Sequence, residues 1–350
     1  MSVNAHLISV GTSLPEHVLM QKDVASAVET TFSGRFAEFG KLSRVFASAG
    51  IVKRHSVRPI EWFLQPRGWA ERTQAYLEGA EQLFVDAATK ALQAANLSAR
   101  DIDTVVTVSS TGIATPSLEA RAAKAMGFRP DTRRVPVFGL GCAGGATGLS
   151  IAARLAKADP GSNVLVVAVE LCTLSFRLDE ATNANIVATA LFGDGAGACI
   201  LRAGDCGIAE VEASGEHLWP DTLDIMGWDV GAQGLGVIFA QAIPPFAEAN
   251  MRPAISGILE RNGMTLEQMD GFICHPGGTK VVSALERAFA LNQGTLVHER
   301  AVLADYGNMS APTVLFVLAR TLRSGLLPRM ALTAMGPGFT ASCVVLKQAA

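Results

Sequence analysis

Three residues of this 350-residue chain are of the types that carry acyl-transfer chemistry, and each sits where a strand should hand over to a helix: Cys142, His275 and Asn308. Cys142 lies in Gly139-Leu140-Gly141-Cys142-Ala143-Gly144-Gly145, between the short β-prone Arg134–Phe138 and a stretch in which Leu149, Ile151, Ala152 and Leu155 recur at helical spacing. A thiol at a helix start meets the positive end of the helix dipole and unpaired backbone N–H groups, which favour the thiolate and can hold an oxyanion. A small buried cysteine in a glycine-rich packing turn is the competing reading. His275, in Cys274-His275-Pro276-Gly277-Gly278, can take or share a thiol proton, or simply cap a helix. Asn308, in Tyr306-Gly307-Asn308-Met309-Ser310, offers a neutral amide donor, or serves only the turn. Taken together, the three point to nucleophilic catalysis through cysteine.

The elements that must position them alternate between strand and helix, so the fold class is α/β. Ala5–Val10, Asp103–Ser109 and Val164–Val169 predict strands, the last of the continuous apolar kind covered on both faces. Ile51–Val57 alternates like an edge strand. Helices are expected over Lys22–Thr30, Phe36–Ala49 and Trp69–Asn96, the last with Tyr76, Ala80, Leu83, Ala87 and Leu92 on one face. An internal echo sharpens this picture. Leu97-Ser98-x-x-Asp101-Ile102-Asp103-x-Val105-Val106 recurs as Met264-Thr265-x-x-Gln268-Met269-Asp270-x-Phe272-Ile273, 167 positions later. The same offset carries Cys142 to Met309, beside Asn308. The chain therefore reads as two similar halves, residues 1–205 holding Cys142 and residues 206–350 holding His275 and Asn308, stacked so that these groups converge on one cleft.

Composition removes several classes of function. With 29 Lys and Arg against 32 Asp and Glu and no sustained basic block, nucleic acid is a poor partner. Hydrophobic residues make up 49% of the chain, yet no uncharged apolar run is long enough to span a membrane. Met1–Leu14 lacks the pattern of a secretory signal. The six cysteines form neither CxxC pairs nor a disulfide framework, which fits a reducing cytoplasm. His6, His17, His55, His217 and His298 share no ligand spacing, so no metal is expected.

The residues around Cys142, His275 and Asn308, together with Ala190-Leu191-Phe192-Gly193-Asp194-Gly195-Ala196 and Gly336-Pro337-Gly338-Phe339, resemble those of the type III polyketide synthases, the chalcone and stilbene synthase family. The resemblance covers almost the whole chain. It implies a thiolase-like fold of two pseudo-symmetric halves in five αβαβα layers and a homodimer. It also implies iterative decarboxylative condensation of malonyl-CoA onto an acyl-CoA starter, with CoA thioesters as substrates and no cofactor. By the same likeness Cys142 is the acylated nucleophile, His275 and Asn308 the decarboxylation and oxyanion pair, and Phe192 the gate between the CoA tunnel and the reaction cavity. Ser110, Thr111, Cys172, Ser175, Gly227, Gly336 and Gly338 fall at cavity positions. Lys41 and Arg44 match basic positions that hold CoA phosphates, whereas the third such position is Ser48 and the methionine pushed into the neighbouring subunit in plant members is Thr115.

Met226-Gly227-Trp228-Asp229 is similar to the bacterial branch that makes alkylpyrones and alkylresorcinols, so a fatty acyl starter is expected. A malonyl-primed polyhydroxynaphthalene synthase is the alternative. A ketoacyl-acyl-carrier-protein synthase III also uses Cys, His and Asn, but its histidine usually precedes Gln-Ala-Asn where Pro-Gly-Gly follows His275 here. The internal duplication argues against a papain-like hydrolase, and the presence of all three chemical residues against a silent scaffold.

Overall fold

The computed structural model describes residues 4–32, 44–180, 182–204 and 206–349. Its strands are β1 (Ala5–Ser13), β2 (His17–Met20), β3 (Lys53–Ser56), β4 (Thr104–Val108), β5 (Arg133–Val137), β6 (Asn163–Leu171) and β7 (Asp194–Ala203), then β8 (Ala209–Leu218), β9 (Met226–Gly231), β10 (Gly234–Phe239), β11 (Gly271–Cys274), β12 (Arg329–Gly336) and β13 (Thr340–Gln348). One sheet runs in the order β11-β12-β13-β8-β1-β7-β6-β4-β5. From its middle outward the two sides repeat each other. On one side β1 is antiparallel to β7, β7 to β6, and β6 is parallel to β4; on the other, β8 is antiparallel to β13, β13 to β12, and β12 is parallel to β11. Only three residue pairs, Ala5 with Val211, His6 with Glu210 and Leu7 with Ala209, stitch the half-sheets together.

This narrow seam lets the half-sheets face each other over a shared layer of helices. The helices Gly144–Ala158 and Ala311–Ser324 lie in a core to which both half-sheets contribute, from Val106 and Val166 on one side to Leu332 and Val344 on the other. Strand side chains alternate between faces. Val164, Val166 and Ala168 of β6 therefore enter this central core, while Leu165, Val167 and Val169 meet the helices Trp69–Ala94 and Leu118–Met126 outside. The helices Ile243–Glu260 and Thr279–Ala288 cover the outer face of the other half. The result is the five-layer thiolase-like α/β fold. Both faces of β6 being covered explains its unbroken apolar run.

The duplication appears at the expected offset: Thr104 and Gly271 open equivalent strands, and Gly144 and Ala311 equivalent helices, each pair 167 positions apart. The central helices cross so closely that a side chain on Gly145 would come within 2.3 Å of the Ala311 carbonyl oxygen, which is why glycine stands there. The predicted face of the long helix is buried as expected, from Tyr76 to Leu92. Ile51–Val57 departs from expectation. Only Lys53–Ser56 is extended, it pairs with β2 in a separate ribbon, and its inward side chains are polar, Arg54 and Ser56. Of the helix expected over Phe36–Ala49 only Arg44–Ser48 falls within the described residues. No helix among the described residues is long and apolar enough to cross a membrane.

Candidate active site

The chain leaves β5, turns through Gly139 and Gly141, both in positive φ, and presents Cys142 in a single 3-10 turn ahead of the Gly144–Ala158 helix. The Ser110 hydroxyl shapes this turn by accepting the N–H groups of Gly139 and Gly141, each at 3.2 Å. Asn308 arrives from the other half, just before the equivalent central helix. Its side-chain oxygen accepts the Ser310 N–H at 2.8 Å and lies 4.0 Å from the Cys142 sulfur, while its amide nitrogen points to the Gly277 carbonyl at 3.4 Å. Ser310 pays for this arrangement with φ of 57°, a conformation that costs a non-glycine residue about 1–3 kcal/mol and persists only where the surroundings over-determine it. His275 continues β11, its N–H donating to Thr333 at 2.8 Å, and its ring is buried with neither nitrogen hydrogen-bonded among the described residues.

The expectation of a thiolate favoured by the helix start does not hold for Cys142 taken by itself. Burial pushes its thiol up to about 11, and the hydrogen bonds of Ser310 and Asn308 offset only part of that. The first free N–H of the turn is also spent, since Ala143 donates to Leu140. Burial likewise lowers His275 to about 3, so the imidazole is neutral. Among the described residues the His275 ring makes no hydrogen bond to Cys142, and the polar neighbours of the thiol are Asn308 and Ser310.

Two cavities meet here. One opens over Cys142 and is lined by Ser110, Thr111, Cys172, Phe192, Gly227 and Trp228, with Ser310, Pro337 and the apolar residues of β9 and β10. A second begins beyond Cys172 and Phe192 and is walled by Val24, Val28, Ile60, Phe63, Ser175 and Phe176, with Arg54 also on its lining. Cys172 and Phe192 line both. Phe192 also meets the Trp228 ring edge to face, with centroids 6.3 Å apart. Ser175 thus belongs to the second cavity and not to that of Cys142. Gly336 and Gly338 line neither: a side chain on Gly336 would strike the Leu140 oxygen and Ala143, so this glycine backs the cysteine turn, and Gly338 faces Leu218. Arg44 is exposed at the start of its short helix, and Lys41 lies outside the described residues.

Glu170 escaped the sequence reading. It is fully buried at the end of β6 and accepts the Ser110 N–H at 2.9 Å, the Thr111 N–H at 3.0 Å and the Thr111 hydroxyl at 2.7 Å, so that it braces the segment that in turn braces the cysteine turn. Burial raises its carboxyl to about 7 against the pull of those donors. A lone acid in an otherwise apolar strand was the available signal. Asp194, also fully buried, was within a quoted motif but assigned no part. It accepts the N–H groups of Val57 and Thr173 at 2.9 and 2.8 Å and the Thr173 hydroxyl at 2.6 Å.

Comparison with known proteins gives a consistent result. Residues 2–205 match the family model for the N-terminal domain of chalcone and stilbene synthases, and residues 210–350 that for the C-terminal domain. The chain is 39% identical to a 1,3,6,8-tetrahydroxynaphthalene synthase of Streptomyces peucetius subsp. caesius, covering 97% of this chain and 92% of that protein. It is 27% identical to the alpha-pyrone synthesis polyketide synthase-like Pks18 of Mycobacterium tuberculosis, over 95% of this chain and 88% of the other. Among solved structures, the 1,3,6,8-tetrahydroxynaphthalene synthase of Streptomyces coelicolor A3(2), a bacterial type III polyketide synthase, superposes with a TM-score of 0.93 at 30% identity, covering 99% of each chain.

Proposed function

Because the chain belongs to the chalcone and stilbene synthase family and, as a type III polyketide synthase, condenses malonyl-CoA, we propose that Cys142 carries the growing chain as a thioester while His275 and Asn308 handle the extender. The Cys142 thiol gives its proton to His275 as its sulfur attacks the starter's thioester carbon; the bond from that carbon to the CoA sulfur breaks, and CoA leaves as a thiol carrying the proton back from the imidazolium. Malonyl-CoA loses its carboxylate as CO2, and the electron pair of the broken C–C bond moves onto the thioester oxygen as an enolate. Donors from His275 and the Asn308 amide nitrogen stabilise that oxygen, and Phe192 keeps water away. The enolate carbon attacks the Cys142 thioester, a C–C bond forms, and the sulfur leaves as thiolate. The lengthened chain, now on CoA, returns to Cys142 for the next round. Lys41 and Arg44 are proposed to hold CoA phosphates.

For the starter we favour a fatty acyl group, closed after two or three extensions as an alkylpyrone or alkylresorcinol-type product. The observation that carries this is the lining beside Cys142: among the described residues no charged side chain faces that cavity, and Cys172 and Phe192 line both it and a second, mostly apolar one that also holds Arg54. Each buried methylene contributes about 0.8 kcal/mol, so such walls favour longer neutral chains over a carboxylate-bearing starter. The second reading, a malonyl-primed polyhydroxynaphthalene synthase, rests on the 39% identity to a protein of that name. Specificity constants with acetyl-, hexanoyl-, lauroyl- and palmitoyl-CoA decide between them. A steep rise to lauroyl or beyond is expected; a flat profile, or tetrahydroxynaphthalene formed from malonyl-CoA alone, overturns the fatty acyl reading.

The assembly we propose is a homodimer. β5 ends the sheet, its outer edge unpaired among the described residues, and the large apolar side chains of Ile113 and Phe138, from segments adjoining β4 and β5, are 56% and 62% exposed. Six free cysteines fit a reducing cytoplasm.

A further inference from the structure

We infer that Arg54 is a positioning residue for the condensation, fixing the backbone from which both Phe192 and Asn308 hang; the inference rests on the roles proposed for those two residues. Arg54 is 1% exposed, on the inward face of β3. Its guanidinium donates to three carbonyls at the end of the Asn183–Leu191 helix and just beyond: Thr189, Phe192 at 3.0 Å and Ala190 at 2.9 Å. These are among the acceptors that a helix end leaves unpaired, and a cation there also complements the helix dipole. The planar fork of arginine can reach several of them at once.

The held segment is the one to which Asn308 is pinned. Asn308 donates its N–H to Leu191 at 2.8 Å and accepts the Gly193 N–H at 3.0 Å, forming an isolated parallel bridge opposite Phe192. The two backbones approach so closely that Gly193 and Gly307 have no room for side chains, since these would strike the Tyr306 and Leu191 carbonyl oxygens at 2.4 and 2.8 Å. The Arg54 Cβ lies 3.3 Å from the place a side chain on Gly193 would take and 3.6 Å from that on Gly307. One residue thus packs against both chains of the bridge and bonds the carbonyls leading into it. On the far side, Asp194 ties the next backbone position to Val57 and Thr173. Phe192 is anchored before and behind, so its backbone, and with it Asn308, stays in place while acyl chains of different length pass. Burial brings the guanidinium down to about 9, opposed by the charge of Asp194, so it remains a cation at neutral pH.

The test separates positioning from simple support. Arg54→Met would strand the Asp194 charge, so the charge-balanced pair Arg54→Met with Asp194→Asn is compared with Asp194→Asn alone, which counts the loss of the Asp194 anchor separately. Each is assayed for malonyl-CoA decarboxylation, with iodoacetamide labelling of Cys142 counting intact sites. In the double variant we expect labelling and the KM for malonyl-CoA to match Asp194→Asn while kcat per labelled site falls about 100-fold below it, the scale of an ångström-sized misplacement; a double variant no slower than Asp194→Asn overturns the inference. If the double variant does not fold, Arg54→Lys decides. A kcat about tenfold down at unchanged KM supports the role, and wild-type kcat overturns it. A wild-type protein that does not decarboxylate malonyl-CoA would instead remove the functional reading, and the inference with it.

Discussion

The Cys142 thiol faces the side-chain oxygen of Asn308 at 4.0 Å, while the amide nitrogen of Asn308 is turned toward Gly277. The two ends of one amide are thus assigned to different neighbours. The Ser310 N–H holds the oxygen end in place and leaves the donor end on the side of the His275–Gly277 loop. Asn308→Ala should cost the malonyl-CoA decarboxylation rate about two to three orders of magnitude, the usual effect of losing one oxyanion donor. Alkylation of Cys142 by iodoacetamide should change far less. Equal loss of both would mean a misfolded site.

Cys142→Ala should abolish condensation and leave measurable decarboxylation, because the enolate is stabilised by His275 and Asn308 and not by sulfur. Mass spectrometry of the products from malonyl-CoA alone checks this; extended products at the wild-type rate would refute the nucleophile.

His275→Ala removes the only proposed acceptor for the thiol proton. Cys142 then keeps its proton until the pH approaches its buried value of about 11. Alkylation of this variant should be slow at neutral pH and rise about tenfold per pH unit into the alkaline range; a rate at neutral pH equal to that of wild type would show that His275 does not take the thiol proton as the sulfur attacks. In Cys142→Ala the complementary change applies: with burial holding His275 near 3, its ring signals should not titrate between pH 5 and 8 in an NMR experiment. A midpoint near 6.5 in that variant would show that the ring is solvated.

Cys172→Phe places a ring where the two cavities meet. Starters long enough to cross should lose the contact of every methylene beyond that point, about fourfold in specificity constant for each. Lauroyl-CoA should therefore fall at least about tenfold relative to hexanoyl-CoA. A uniform decrease across the series would show that long chains do not use the second cavity.

Gly145→Ala drives a methyl group against the Ala311 backbone oxygen in the central layer. Overpacking of this kind costs about 1–3 kcal/mol, and a backbone atom cannot rotate aside as a side chain would, so the upper end is expected in urea unfolding. Gly161→Ala, exposed and free of close neighbours though in positive φ, is the comparison that isolates packing from conformational strain.

How far the sequence went follows from how local each cause is. The turn that presents Cys142 was legible because its glycines and the flanking periodicities sit within a few residues of it. The central layer was legible through a repeat whose offset is the same at the strands and at the helices. Arg54 and Glu170 were not, because their partners, mostly backbone groups, are 59 to 138 positions away and nothing about an Arg in a short polar strand or a Glu at a strand end names them. The protonation of Cys142 was misjudged for a related reason: a helix start is a local feature, but the burial that outweighs it comes from both halves at once. Gly336 and Gly338 were assigned to the cavity wall by the resemblance of the segment Gly336-Pro337-Gly338-Phe339, of which only Pro337 lines the cavity of Cys142.

The duplicated architecture has one asymmetry with a bearing on product length. Met309 occupies the position equivalent to Cys142 in the second half, fully buried with its sulfur packed toward Gly195, so a fold with two matching stations keeps a single thiol to load. An assembly line with several stations can count its steps by their number. If Cys142 is the single station proposed above, the chain returns to the same sulfur each time, and its length is measured by the room remaining above that sulfur.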